Sequence, residues 1–196
     1  MKRFITFEGI DGSGKSTVSK KLYKHIESMG YDVVLTFEPT DSYIGRIVKE
    51  CIENDADPFV TAFAFIADRI DHCKKIQEWL DQGKIVLCDR YAESTYAYQG
   101  AQMQDMIDNP VKWLQDLSKN RILTPDRTFV FLIKPEVSLA RIQNRDKLIP
   151  FERLSFLEKV HKLYLELAQG ERFKILDATK TVDELVNICV EDILKK

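Results

Sequence analysis

Short apolar runs alternate with amphipathic stretches along the chain, and that alternation predicts a fold class. Residues 3–8 (RFITFE), 31–37 (YDVVLTF), 84–88 (KIVLC), 128–133 (TFVFLI) and 172–176 (RFKIL) are rich in branched and aromatic side chains and do not alternate strictly. Such runs suit strands covered on both faces. Between them the period lengthens. Val18, Leu22 and Ile26 share one face of a helix starting near Lys15, and Gly30 follows as a stop signal. Asp57 and Pro58 read as an N-cap and a first-turn proline. From there Phe59, Ala62, Phe63, Ile66, Ile70, Cys73 and Leu80 trace a helical stripe ending near Gly83. Thr181 with Glu184 is a capping-box pattern opening a last helix through Leu185, Ile188 and Ile193. Strands alternating with helices pair in parallel through right-handed crossovers, so the expected architecture is α/β, a three-layer, five-stranded parallel sheet flanked by helices. The 196 residues hold no repeat, low-complexity tract or long linker, so a single domain over 1–196 is expected, with a lid insert at about 141–153.

Charge and cysteine usage narrow the partners. The chain has 29 Lys+Arg against 31 Asp+Glu, a net charge of −2, which argues against a duplex-wide grip on nucleic acid. No apolar stretch approaches the roughly 20 residues needed to span a bilayer, and the opening MKRFITFEG enters a strand-like pattern without a leader-like segment. Cysteines 51, 73, 88 and 189 form no CxxC, and His25, His72 and His161 do not cluster, so no zinc site or disulfide framework is legible. Cys88 closes an apolar run and is expected to be buried. A reducing cytoplasm is the expected location.

The clearest chemistry lies directly after the first strand. Gly9-Ile10-Asp11-Gly12-Ser13-Gly14-Lys15-Ser16 matches G-x-x-x-x-G-K-[ST] in full. A loop that wraps phosphate must aim successive backbone N–H groups inward, and glycine permits both the dihedrals and the close approach. The following helix adds its positive end, Lys15 can reach β- and γ-phosphates, and the Ser16 hydroxyl can ligate Mg²⁺. A nucleoside triphosphate is therefore the expected ligand and the fold is expected to be of P-loop NTPase type. A guanine-reading [NT]-K-x-D segment is missing: Thr179-Lys180-Thr181-Val182-Asp183 places its aspartate one residue late. Small kinases remain.

Other segments carry candidate chemistry. Asp89 ends the strand KIVLC, where an acid can hold Mg²⁺, and Arg90 beside it is suited to phosphate. Phe65 and Arg69 stand at i and i+4, a ring to stack on a base and a fork to bond it. Ser94 to Gly100 offers hydroxyls and an amide on the turn after Arg90. Arg141 and Arg145, again i and i+4, share a helix face in a polar stretch with Lys147 and Arg153, as a basic lid would.

Together, FEGIDGSGKST, EPT, FIADRIDH, DRYAESTYAYQG and DATKTVDEL resemble the thymidylate kinase family across nearly the whole chain. The resemblance implies phosphoryl transfer from ATP, with Mg²⁺, to dTMP in a homodimer. It implies that the phosphate loop extends from Gly9 through Thr17, with Ala178 and Thr179 near adenine. Asp11 would face the 3′-hydroxyl, Phe65 would stack on thymine, Arg69 would bond O4, and Arg90 would touch the acceptor phosphate. Ser94 and Thr95 would lie near the base edge, and Tyr98 would crowd the 2′ position. Glu38, Pro39, Lys49 and Gln99 also fall on the acceptor side. Lys15, Arg90, Arg141 and Arg145 would neutralise the transferred group, and Ser16 and Asp89 would hold the metal. Gly12 stands where one branch of the family carries a P-loop arginine, so the catalytic charge is expected from the lid. Lys49 stands where many relatives carry arginine.

Other readings share the same loop. A deoxynucleoside kinase would use a base at the end of strand two, near Glu38, to activate a hydroxyl acceptor. Another nucleoside monophosphate kinase, or a P-loop module that binds ATP without small-molecule turnover, would also keep Lys15 and Ser16.

Overall fold

The five branched and aromatic runs are strands, in a computed structural model that describes residues 2–142 and 153–195. They are β1 (Arg3–Glu8), β2 (Val33–Phe37), β3 (Ile85–Asp89), β4 (Arg127–Leu132) and β5 (Phe173–Asp177). All pair in parallel in the order β2-β3-β1-β4-β5. The chain therefore leaves β1 for β2 on one side and returns to β4 on the other, which opens a crevice at the carboxyl ends of the central strands. Register aligns Phe7 of β1 with Asp89 of β3, and Asp89 with Phe37 of β2. The acid at the end of β3 is thus fixed beside the loop that follows β1.

The flanking helices are α1 (Lys15–Ser28), α2 (Tyr43–Glu53), α3 (Pro58–Asp81), α4 (Ala92–Gln102), α5 (Pro110–Ser118), α6 (Pro135–Ile142), α7 (Leu154–Leu167) and α8 (Val182–Leu194). Local signals set several boundaries. The Asp57 carboxylate accepts from the Phe59 and Val60 amides at 2.8 and 3.4 Å, and Thr181 and Glu184 cap α8 reciprocally. Side chains alternate across the sheet. Ile5, Phe7 and Leu87 join α1, α7 and α8 in one core, while Phe4, Val86 and Cys88 join α3 in the other. Cys88 is fully buried, as its place in the apolar run suggested.

One expectation needs correction. Ser94 to Gly100 is not a turn but the body of α4, in which Ala92 through Ala101 are all buried. Packed on every side by α3, α5 and α7, this helix needs no polar face, so it carries no amphipathic period for a sequence reading to detect.

The turn between β2 and α2 is fixed by a buried acid. Asp68 of α3 accepts from the Thr40 amide at 2.8 Å, the Thr40 hydroxyl at 2.6 Å and the Ser42 hydroxyl at 2.9 Å. Ser42 in turn caps α2, accepting from the Gly45 amide at 2.9 Å. A Cβ on Gly45 would lie 2.0 Å from the Thr40 carbonyl oxygen, so this position admits only glycine without moving the turn. Gly45→Ala is expected to lower unfolding free energy by about 1–3 kcal/mol, the usual cost of forced overpacking. Denaturant midpoints check this, and an unchanged midpoint would contradict the tight contact.

Candidate active site

The loop after β1 is shaped by close backbone approaches. A Cβ at Gly9 would lie 2.6 Å from the Phe131 carbonyl, and one at Gly12 would lie 2.6 Å from the Ser138 carbonyl, at a φ of +77°. An arginine at position 12 has no room here, which gives a physical reason for the glycine. Gly14, at φ +88°, turns the chain into α1, with Ser16 and Thr17 exposed on its first turn. The Lys15 ammonium, 4% exposed, donates to the Ile10 carbonyl at 3.4 Å and stands 3.8 Å from the Asp11 carboxylate. Burial, helped by the charge of Arg90, pulls Lys15 down to about 8, so an incoming phosphate would restore its full charge. The Ser138 hydroxyl donates to the Asp11 carbonyl. Arg141, on the last turn of α6, donates at 3.3 Å to both the Gly12 and Ala178 carbonyls, tying the loop to the segment after β5.

Beside this loop, Ser16, Asp89, Glu38 and Arg90 line a cleft of about 340 Å³. The Asp89 Oδ1 atom is buried and has no hydrogen-bond partner among the described residues. A buried acceptor without a donor, next to a hydroxyl on a helix N-terminus, fits a hard divalent cation or its water.

A second cavity of about 170 Å³ opens on the other side of Arg90 and is lined by Asp11, Glu38, Pro39, Phe65, Arg69, Ser94, Tyr98 and Gln99 among others. Arg69 is fully buried at its edge. Its Nε donates to Glu38 Oε2 at 2.7 Å, and its Nη2 donates to the Tyr91 carbonyl at 3.0 Å and to the Thr95 hydroxyl at 2.9 Å. Its Nη1 is buried with no partner among the described residues. Near the phosphate loop, Arg90 Nη2 donates to Asp11 Oδ1 at 2.7 Å, Arg90 Nη1 donates to Ser94 Oγ at 2.9 Å, and the Tyr98 hydroxyl donates to Asp11 Oδ2 at 3.1 Å. Burial pushes the Asp11 carboxyl up, but the charges of Arg90 and Lys15 and the donated hydrogen bonds outweigh it and hold the group well below the usual carboxylate range. Arg90 adopts a left-handed φ of +68°, a conformation that costs a residue with a side chain about 1 kcal/mol or more and that aims the guanidinium along the cavity. The cavity can therefore hold a planar ring against Phe65, offer it an N–H from Arg69, and meet an anion at Arg90.

The structure thus gathers most of the candidate residues. Thr95 does not line the cavity but holds Arg69. Lys49 is also absent from the lining: its ammonium pairs with Asp41 at 2.7 Å and lies 5.8 Å from the Phe37 ring centroid. Arg145 and Lys147 fall outside the described residues, while Arg153 is the residue before α7. Sequence reasoning missed Ile52 and Tyr91, which complete the lining, and Asp68, which anchors the turn after Pro39. It also missed His72, whose Nδ1 lies 3.0 Å from Glu38 Oε1. Its spacing three residues after Arg69 was the available signal. Glu38, His72 and Cys88 offer ligand atoms within 4.8 Å of one another. Both Glu38 oxygens and both His72 nitrogens are already engaged, and the Cys88 thiol, which burial pushes well up, donates to the Arg90 carbonyl at 3.1 Å. Glu38 and His72 form a hydrogen-bonded pair against Arg69, and Cys88 bonds elsewhere.

The thymidylate kinase family model matches residues 7–188. The chain belongs to that family. Among its relatives is a probable thymidylate kinase of Methanosarcina barkeri, 42% identical over 98% of this chain and 96% of the relative. Another, of Sulfurisphaera tokodaii, is 39% identical over 97% of this chain and 95% of the relative. A third, of Methanocaldococcus jannaschii, is 41% identical over 94% of this chain and 92% of the relative. For a thymidylate kinase family member, the matched span covers both the phosphate loop and the cavity beyond it. No described helix is long and apolar enough to cross a membrane.

Under the family's phosphate loop lies a buried carboxyl that the motif does not announce. Glu8 accepts from the Tyr91 amide at 2.7 Å, the Ser94 hydroxyl at 2.6 Å and the Tyr164 hydroxyl at 3.1 Å. Burial, with the neighbouring charge of Glu93, pushes it from 4.5 to about 7. The folded state therefore binds this proton more tightly than the unfolded chain does. The contribution to stability is complete below about pH 4.5 and is lost as pH rises through about 7. Between pH 5 and 8 the wild type is expected to lose about 1–3 kcal/mol of unfolding free energy relative to Glu8→Gln, which cannot ionise. Urea titrations of both proteins at the two pH values check this, and parallel pH trends would contradict it.

Proposed function

We propose that the chain transfers the γ-phosphoryl group of ATP to the 5′-phosphate of dTMP, giving dTDP and ADP. One observation carries the reading: the cavity joins a ring-stacking site and a buried Arg69 Nη1, without a partner among the described residues, to Arg90 and the phosphate loop within one crevice. Thymine stacks on Phe65 and accepts at O4 from Arg69 Nη1. Ser94 and Gln99 border the nucleotide, and Asp11 meets the 3′-hydroxyl. Tyr98, whose hydroxyl is held by Asp11, leaves little room for a 2′-hydroxyl. Arg90 takes the acceptor phosphate. The ATP phosphates lie on the amides from Gly9 to Thr17, and Arg141, Ala178 and Thr179 border its nucleoside end. Ser16 and Asp89 hold Mg²⁺, which when bound neutralises phosphate charge. Arg145 belongs to the same proposal as a lid cation, and the whole chain is read as one cytoplasmic kinase domain.

No general base is needed. A phosphate monoester has a second pKa near 6, so the attacking oxygen is already ionised at neutral pH. What remains is alignment and neutralisation, for which Lys15 and Arg90 are placed. The alternative of a hydroxyl acceptor requires a free carboxylate at the end of β2. Glu38 is not free, because Arg69 and His72 occupy both of its oxygens. A homodimer through α3 is part of the proposal: Val60 and Phe63 are 54% and 51% exposed on that helix.

An ADP-release assay with ATP and Mg²⁺ tests the reading against dTMP, dUMP, dCMP, dGMP, UMP and thymidine. Turnover is expected to be strongest with dTMP, weaker with dUMP and slight with UMP. Turnover confined to thymidine would overturn it. Lys15→Ala and Arg90→Ala, each checked for folding, are expected to lower kcat at least about 100-fold, the scale of losing one charge-stabilising group. Near-normal turnover in both would contradict their roles.

A further inference from the structure

Arg69 reaches the acceptor cavity from a fully buried position, so its aim depends on whatever holds the rest of its guanidinium. Glu38 holds Nε, and Glu38 is itself held. Oε2 accepts from Arg69 at 2.7 Å, while Oε1 lies 3.0 Å from His72 Nδ1. On the far side of the imidazole, Nε2 lies 2.8 Å from the Thr36 hydroxyl. A carboxylate only accepts, so Nδ1 carries the hydrogen, and the Thr36 hydroxyl, which can donate or accept, meets Nε2. Glu38 and Arg69 set one buried negative charge against one buried positive charge. Glu38 and His72 are both 4% exposed and Arg69 is 0% exposed, so losing the donor at Oε1 leaves a buried acceptor at a cost. The ring is also set edge-on to Trp79, with centroids 6.4 Å apart, which fixes its plane.

We propose that His72 is a positioning residue that sets base selectivity, through a relay running from Thr36 through His72 and Glu38 to Arg69. The assignment rests on the dTMP kinase reading and deepens it. With His72 in place, the carboxylate plane is fixed by donors on both oxygens, and the Arg69 fork points its free Nη1–H at a carbonyl acceptor. That donor suits the 4-oxo group of thymine and opposes the 4-amino group of cytosine, which presents hydrogens of its own. Without the imidazole, Glu38 turns to satisfy Oε1, and Arg69 turns with it. The loss falls on recognition of the acceptor base, while the phosphate loop, on the other side of Arg90, keeps its geometry.

The test compares wild type with His72→Leu, His72→Asn and His72→Gln, measuring kcat, KM for dTMP, KM for ATP, and the ratio of kcat/KM for dTMP over dCMP. His72→Leu is expected to raise the dTMP KM and to lower that ratio, each about tenfold, with the ATP KM unchanged. His72→Asn keeps a short amide donor for Glu38 and is expected to stay within about threefold of wild type on both measures. His72→Gln, whose longer amide reaches toward Thr36 instead, is expected to behave like the leucine variant. Should His72→Leu not fold, the asparagine and glutamine variants carry the comparison. A folded His72→Leu with wild-type KM and ratio overturns the relay, as does an asparagine variant no better than the glutamine one. Wild-type protein that ignores dTMP overturns the kinase reading and this assignment with it. Wild-type turnover of dTMP that is matched by His72→Leu overturns this assignment alone.

Discussion

The buried ion pair between Arg69 and Glu38 is the constraint around which the acceptor half of the molecule is arranged. Removing two charges from water costs several kcal/mol per ion, a cost offset only where geometry is good and the remaining donors and acceptors are satisfied. Here the offset comes from four elements at once. Glu38 lies at the end of β2, Arg69 and His72 on α3, Tyr91 in the turn after β3, and Thr95 on α4. Breaking either partner would leave an uncompensated charge in the core, so these four elements are held in one relative arrangement. The one nitrogen of Arg69 left without a partner among the described residues belongs to a side chain that lines the cavity. The same ion pair that fixes the packing thus leaves a donor for a ligand.

A second, more exposed pair performs the corresponding task on the phosphate side. Asp11 and Arg90 meet at 2.7 Å where the loops after β1 and β3 converge, with Lys15 3.8 Å from the same carboxylate. Two cations converge there, in a chain whose net charge is −2. That convergence favours phosphate binding. The parallel register of β1 and β3 brings that point beside Asp89, whose Oδ1, without a partner among the described residues, suits a cation. The proposed acceptor, donor and metal positions lie at three neighbouring strand ends.

Much of this was legible in the sequence, for identifiable reasons. Sheet class and strand positions followed from apolar runs without alternation, because both faces of the sheet are covered. The phosphate loop was legible because its spacing leaves little freedom, and the pairing of Phe65 with Arg69 because helical spacing places i and i+4 on one face. What escaped were partners joined across long sequence separations. Asp68 looked like an ordinary helix charge until the turn after Pro39 supplied its donors. His72 read as a lone histidine, since its partner Glu38 is 34 residues away. Tyr91 and Ile52 reach the cavity only through tertiary packing. In α4 burial on all sides removed the period that would have revealed a helix. Lys49, which the resemblance placed on the acceptor side, pairs with Asp41 and is absent from the cavity lining.

Under the proposed function, Arg69, held by Glu38, offers the donor that recognises the acceptor base. Titration calorimetry of dTMP and, separately, of ATP into wild type and Arg69→Lys tests this most directly. A lysine keeps the charge but has no fork with which to bond Glu38 and a ligand together. Arg69→Lys is expected to bind dTMP at least about tenfold more weakly, with ATP affinity unchanged. Equal dTMP affinity in the two folded proteins would contradict it.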